Sequence, residues 1–333
     1  MAPETAIGLD IGGTKIAAGI VDRSGRVGTR AVRSTPGHSR IEVEEAVAEL
    51  VGELHREAPG APVGIGAAGW MNPDTGTVLF SPHLAWRNEP LRDRLEDRLG
   101  ARVTVANDAD AAGWAEWRFG AGRGESHLVC LTLGTGIGGA VVADGTLRRG
   151  RYGLAGEFGH QIMVPGGHRC ECGNRGCWEQ YASGNALGRE GRELARAGSP
   201  VAQTLVEAAG GNPDAIDGEV VTRMARGGDP ASRELVVEVG EWLGLGMANL
   251  AAALDPGMFV IGGGLGAASP LLLEAAEAGY RRHLTGRGYR PFARVARAEL
   301  GADAGLVGAA DLARSDPRRH GGGSDAARVS GVR

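Results

Sequence analysis

The densest chemistry in this chain lies between Gly156 and Glu179, where Gly156-Glu157-Phe-Gly-His160 precedes Cys170-Glu-Cys172-Gly-Asn-Arg-Gly-Cys177-Trp-Glu179. Three cysteines within eight positions, spaced by glycines, and a histidine ten residues upstream supply three sulfurs and one nitrogen. That is the donor set of a closed, structural zinc site. His160, Cys170, Cys172 and Cys177 are the expected ligands, with His168 a rival for the fourth position. A disulfide is the competing reading, disfavoured by the odd number of thiols and by a reducing compartment. The fourth cysteine, Cys130, sits in an apolar run and reads as a buried core thiol. Glu157 and Glu179 flank the metal set, and a zinc knot would hold such carboxylates rigidly enough to read sugar hydroxyls. As surface glutamates they would need no role.

Two glycine turns suggest phosphate binding. Asp10-Ile-Gly12-Gly13-Thr14-Lys15 and Gly134-Thr135-Gly136-Ile-Gly-Gly139 each follow an apolar strand and lead into another strand. The second fits G-x-G-x-x-G, but a dinucleotide fingerprint must open a helix, and Ala140-Val-Val-Ala-Asp144 is strand-like. The first resembles a P-loop with Thr14 and Lys15 in the wrong order. Both are therefore hairpin turns, whose exposed backbone N–H groups can donate to phosphate oxygens, with Thr14 and Thr135 adding hydroxyls. Lys15 is the single lysine of the chain, and in such a turn its compact ammonium is not interchangeable with arginine. Gly262-Gly263-Gly264, after Phe259-Val-Ile261, is a third loop of this kind.

Asn107-Asp108 ends a short buried run, where an open α/β sheet places functional residues. The aspartate can take a proton from a substrate hydroxyl while the asparagine hydrogen-bonds a neighbouring one. The alternatives are a helix N-cap, or Asp110 in place of Asp108.

These residues must be positioned by alternating strands and helices. Ala6–Ile11, Lys15–Asp22, Val63–Ala68 and Val103–Ala106 read as strands. Arg40–Arg56 and Leu91–Leu99 read as helices, and another starts at Ala109. Gly69 to Gly76 reads as a loop. His127–Leu133 and Ala140–Asp144 repeat the first hairpin at a constant offset of 122, placing Thr132 on Asp10 and Asp144 on Asp22. Helical stretches over about 185–255 follow, and a last helix near Gly305–Arg314. From Ser315 the chain is polar with three successive glycines, and a disordered tail is expected.

Composition narrows the class. A length of 333 residues suggests about two domains. Lys+Arg 36 against Asp+Glu 40 gives a net charge of −4, which argues against a nucleic-acid or anionic-membrane surface. No uninterrupted apolar run reaches ~18 residues and no signal peptide is evident, so a cytoplasmic enzyme with no membrane partner is expected. Glycine, 58 residues, is about twice its usual share and clusters in the loops above.

Together these motifs resemble the ROK family of sugar kinases and sugar-responsive repressors, closest to its bacterial ATP-dependent glucokinases, over roughly residues 5–314. The pairing of Asp-Ile-Gly-Gly-Thr-Lys with Cys-x-Cys-Gly-x-x-Gly-Cys-x-Glu carries the resemblance. It implies an α/β, two-domain, duplicated ribonuclease-H-like fold of the actin and hexokinase type, with a cleft between the domains. The small domain would be 1–108 completed by a C-terminal helix at 302–314, the large one 109–301, and 315–333 the tail. The resemblance further implies Asp108 as catalytic base and Asn107, Asp108, Glu157, His160, Glu179 and Gly69 as sugar contacts. Asp10, Gly12, Gly13, Thr14, Lys15, Gly134, Thr135 and Gly136 would face the phosphates, and Gly262, Gly263 and Gly264 the adenosine. ATP, Mg2+ anchored through Asp10, and zinc are the implied cofactors, glucose the substrate, and a homo-oligomer, dimer or tetramer, the assembly. Fructose or N-acetylmannosamine are alternative substrates. A sugar-sensing repressor would need a DNA-binding module ahead of the first strand, where only Met1–Thr5 stand. Ala67-Ala68-Gly69 departs from the family, which more often has proline before that glycine.

Overall fold

The computed structural model describes residues 4–36, 39–81, 84 and 86–319. Its first sheet opens with an antiparallel meander of β1 (Thr5–Ile11), β2 (Lys15–Asp22) and β3 (Val27–Ser34). Helix α1 (Arg40–His55), started by Ser39 accepting from the Glu42 N–H, crosses to β4 (Val63–Ala67), parallel to β1. Three short strands, β5 (Trp70–Asn72), β6 (Thr77–Phe80) and β7 (Arg87–Glu89), form a separate small sheet. Helix α2 (Leu91–Leu99) then leads to β8 (Val103–Asn107), parallel to β4, and the sheet order is β3-β2-β1-β4-β8. Helix α3 (Asp108–Phe119) follows without a loop.

The second sheet repeats the plan. β9 (His127–Leu133), β10 (Ile137–Ala143) and β11 (Thr146–Leu147) are antiparallel, while β12 (Met258–Gly262) and β13 (Arg294–Arg297) run parallel to β9. The order is β11-β10-β9-β12-β13. Two sheets with one strand order and one pattern of directions make the duplicated α/β fold of the actin and hexokinase type. Between β11 and β12 the chain inserts the cysteine segment and helices α4 (Glu179–Ala182), α5 (Gly184–Arg196), α6 (Gln203–Ala208), α7 (Gly218–Arg226) and α8 (Pro230–Leu254). By length and composition α8 could cross a membrane, but Leu235, Val236, Val239, Leu243 and Met247 are buried in the core of the second half. Helices α9 (Gly263–Ala268) and α10 (Pro270–His283) connect β12 to β13.

The last helix, α11 (Ala304–Arg314), returns to the first sheet. Two glycines permit its approach: a Cβ at Gly8 or Gly64 would stand 1.9 Å from the carbonyl oxygen of Leu306 or Ala309. Arg314 locks its end, pairing with Asp311 at 2.9 Å and donating to the Val21 carbonyl at 2.8 Å.

Three sequence expectations change. Residues Ser315 to Arg319 are held rather than free, because the Thr104 hydroxyl donates to Asp316 at 2.7 Å and Arg318 donates to the Val103 carbonyl at 2.8 Å. Residues 320–333 of the expected tail lie outside the described residues. The supposed loop at Gly69–Gly76 instead contains β5, which pairs with β6. The repeat offset is 122 only on the first strand of each hairpin. Four residues, Gly12–Lys15, separate the paired Ile11 and Ile16, but only Gly134–Gly136 separate Leu133 from Ile137. Asp22 therefore corresponds in the ladder to Ala143, not Asp144, and Lys15 occupies the extra position of the first turn.

Candidate active site

Asp108 stands where β8 runs directly into α3, so its carboxyl group is carried at the carboxyl end of a parallel strand. Asn107 is the helix cap. Its Oδ1 accepts from the Asp110 N–H at 3.0 Å, and its Nδ2 donates to the Gly69 carbonyl at 3.0 Å. Asp108 Oδ1 accepts from the Ala109 N–H at 2.9 Å. The capping and proton-accepting readings thus fall on adjacent residues rather than competing for one.

Asp110 is buried. Its Oδ2 accepts from Arg149 Nε at 3.2 Å, and it lines neither of the cavities that Asp108 faces. Burial pushes its carboxyl up to about 6 against the pull of Arg149.

A cavity of ≈ 270 Å³ gathers Gly69, Asn107, Asp108, Glu157, His160 and Glu179, six residues drawn from sequence positions up to 110 apart. The turn Gly134–Gly136 also lines it. Gly134 and Thr135 form a wall shared with a larger cavity of ≈ 610 Å³, whose other faces include Gly264, Asn185 and the start of α7 at Asp217–Glu219. The shared turn is pinned from behind: the Gly184 N–H donates to the Gly134 carbonyl at 2.8 Å. Gly136 lies against the Glu179 carboxylate: a Cβ there would stand 2.5 Å from Oε2 and displace that side chain. A third space, ≈ 210 Å³, joins Asp10 and Asp108 to Gly262, Gly263 and Gly305. Gly263 adopts φ +79°, and a Cβ on it would lie 2.4 Å from the Leu133 carbonyl oxygen, so the third glycine loop is packed on the second hairpin. Gly12, Gly13, Thr14 and Lys15 line none of these spaces, although the Lys15 charge reaches Asp10.

The electrostatics are those of crowded carboxylates. Burial raises Asp10 to about 7, the Asp108 charge adds to the rise and Lys15 opposes it. Burial and the same Asp108 charge raise Glu157 to about 7, while a hydrogen bond from the Trp70 indole pulls it down. Such a site favours protonation until cations or hydroxyl donors enter it.

His160, Cys170, Cys172 and Cys177 converge, with one donor atom of each within 4.8 Å of the others. The Cys170–His160 Nδ1 and Cys172–Cys177 separations are both 3.6 Å. Donors around a tetrahedral zinc are about 3.3–3.8 Å apart, so this set could hold the ion. The opposite nitrogen, His160 Nε2, faces Glu157 at 3.9 Å. His168 does not join the set; its ring lies against Tyr181 at 5.3 Å. Cys130 is fully buried in β9, as its sequence context suggested.

Three features of the site were not singled out in the sequence. Trp70 and Phe80, their rings 5.3 Å apart, line a small space of ≈ 90 Å³ with His160 and Glu179, and the head of α7 lines the large cavity. Arg149 partners Asp110 across the fold. Nothing in local sequence marks the last two, whereas Trp70 follows the flagged Gly69 directly.

Comparison with known proteins agrees with this geometry. The family model described as ROK family matches residues 6–316. A glucokinase of Streptomyces coelicolor is 46% identical over 312 residues, 93% of this chain and 98% of the relative. A glucokinase of Thermotoga maritima is 35% identical over 308 residues, 92% of this chain and 96% of the relative. The crystal structure of a ROK family glucokinase from Streptomyces griseus in complex with glucose and AMPPNP superposes with a TM-score of 0.85 at 46% identity. It covers 94% of this chain and 100% of that one.

Proposed function

Because this chain belongs to the ROK family, we propose that it transfers the γ-phosphoryl group of ATP to the C6 hydroxyl of glucose, with Asp108 as general base. The observation that carries the reading is the shared wall. Gly134 and Thr135 bound both the cavity holding Asp108 with the polar hydroxyl-reading set and the larger cavity that reaches Gly264. A nucleotide in the larger space would bring its terminal phosphate to that turn, beside a hydroxyl held on Asp108.

Phosphoryl transfer needs in-line positioning and charge stabilisation more than covalent help. The Gly134–Gly136 turn supplies N–H donors, and Asp108 receives the hydroxyl proton as the oxygen attacks phosphorus. Asp108 is favoured over Asp110 because it faces the cavity, while Asp110 is buried against Arg149. Asn107, Glu157, His160, Glu179 and the Gly69 carbonyl region orient the sugar ring. The Gly262–Gly264 loop lies on the adenosine side. For the turn Gly12–Lys15 we keep a phosphate role that requires the two halves to close further over the nucleotide.

Asp10, with its carboxyl beside that of Asp108, fits an anchor for Mg2+, which would neutralise phosphate charge. The Cys3His set fits zinc as a structural ion. With Nδ1 as the zinc ligand, the other ring nitrogen, which faces Glu157 at 3.9 Å, would be the one left to donate toward the sugar cavity. The small domain would be 1–108 with α11, the large one 109–301, and the reduced thiols suit the cytoplasm. Assaying a panel of hexoses with ATP and Mg2+ tests the reading. Glucose should give glucose 6-phosphate with the highest kcat/KM, and the absence of ATP-dependent phosphorylation of every hexose would overturn it.

A further inference from the structure

Trp70 connects the two halves of the sugar cavity, and its position follows from the chain on either side. Gly69 turns at φ +130°, with room for no Cβ because the Phe80 carbonyl oxygen would lie 2.5 Å away. Its own carbonyl is held by Asn107 Nδ2. The next residue is therefore delivered to the cavity wall at the start of β5, opposite Glu157 and His160. The Trp70 ring meets the His160 imidazole edge to face at 5.8 Å and 81°, and its indole lies near enough to the Glu157 carboxylate to oppose the rise of its pKa. Behind it, Phe80 lies at 5.3 Å, and the Arg87 guanidinium covers Phe80 at 4.2 Å. Arg87 is itself fixed by donating to the Ser81 and Trp86 carbonyls. The indole is thus backed by a braced stack.

We propose that Trp70 is a specificity-determining residue that orients Glu157 and walls off the side of the sugar ring remote from the reacting hydroxyl. The inference rests on the kinase reading above. With the C6 hydroxyl on Asp108, the ring carbon opposite C5 is C2. The C2 substituent then faces the Glu157–His160 end of the cavity, under the indole. A hydroxyl fits there and can bond both side chains. An acetamido group keeps an N–H donor but needs the volume the indole fills. Trp70 also separates two contributions: its N–H acts on the carboxylate, and its ring acts on volume.

The test uses the full chain with Trp70→Ala and Trp70→Phe, assayed with glucose and N-acetylglucosamine. Each sugar is also titrated against the protein without ATP, so that the preference is read whether or not turnover survives. Trp70→Ala should raise the glucose KM roughly 10–100-fold, the loss expected when a hydrogen bond to a charged group is removed. It should raise the N-acetylglucosamine-to-glucose ratio of kcat/KM, and of affinity, at least tenfold. Trp70→Phe keeps a smaller aromatic wall and loses the donor; its glucose KM should rise while the sugar preference shifts less than in Trp70→Ala. The KM for ATP should be unchanged in both, which a general loss of structure would not give. An N-acetylglucosamine-to-glucose ratio within threefold of wild type for Trp70→Ala, in both turnover and binding, would overturn the assignment. Wild-type turnover of glucose tests the underlying kinase reading separately.

Discussion

Asp10 and Thr132 occupy the same node of the two sheets: Asp10 pairs with Ala17 and Gly66, Thr132 with Gly138 and Gly262. Both face the space that also contains Asp108. The duplication therefore presents one carboxylate and one hydroxyl from equivalent positions: the carboxylate brings negative charge for a cation, and the hydroxyl can donate to phosphate.

The placement of Asp10 predicts a pH signature. Its carboxyl is raised to about 7, chiefly by burial and then by Asp108, so the folded chain binds this proton more tightly than the unfolded chain does. Its contribution to stability is full below the ordinary carboxylate range and is lost as the pH rises through about 7. Asp10→Asn should remove that loss. The variant's Tm should exceed wild type at pH 8 without Mg2+ or nucleotide, by at most ~4 kcal/mol of stability, and the difference should vanish near pH 4. The variant should also be a poor kinase. Parallel Tm profiles across this range would remove the buried-carboxylate account.

For Asp108→Asn the expected result is a fall in kcat of about 10²–10⁴-fold with glucose affinity within a few-fold of wild type. The amide keeps the shape and can still accept from the Ala109 N–H, as Asp108 Oδ1 does at 2.9 Å. Rate and binding measured on the same preparation separate the two roles. Retention of more than about a tenth of kcat would show that the residue is not the base.

The return of α11 to the first sheet gives a stability prediction. Gly64→Ala would drive a Cβ to 1.9 Å from the Ala309 carbonyl oxygen, inside backbone that cannot yield cheaply. A loss of about 3 kcal/mol or more is expected, at the upper end of overpacking effects. Gly52→Ala is the control, because that exposed position in α1 has nothing within 4 Å and alanine is the better helix former. It should gain about 0.5–1 kcal/mol. Urea midpoints of the two variants should move in opposite directions.

The sequence reveals those parts of this molecule that local chemistry controls. The three cysteines could be read as a metal set from spacing, since a metal demands a fixed donor set, but the choice of His160 over His168 needed the fold. The hairpin glycines could be read because strands flank them. Trp70 could not, because its role depends on a turn at Gly69 bringing β5 across from a segment almost 90 residues later. Nor could the fixed tail at Asp316 and Arg318, which looks polar and unstructured until Thr104 and the Val103 carbonyl are placed beside it. The offset of the repeat failed after the first turn because one inserted residue leaves both strands intact while shifting every later equivalence.

The metal and the sugar end of the cavity are joined by two short tethers. His160 lies three residues from Glu157 and offers Nδ1 to the sulfurs and Nε2 to Glu157, while Cys177 lies two residues before Glu179. Glu179 Oε1 also lies 3.1 Å from the Cys170 sulfur, so the carboxylate touches the cysteine set directly. About one zinc per chain is expected. Chelation, or Cys172→Ala, should weaken glucose binding by tenfold or more and lower the Tm, because the cysteine loop contains little apolar surface to hold its shape. The KM for ATP should move little, since Gly264 and the start of α7 lie in the other cavity. Metal content is measured together with glucose and ATP titrations on wild type, chelated protein and the variant. A metal-free protein with undiminished glucose affinity would show that the tethers do not couple the ion to the sugar.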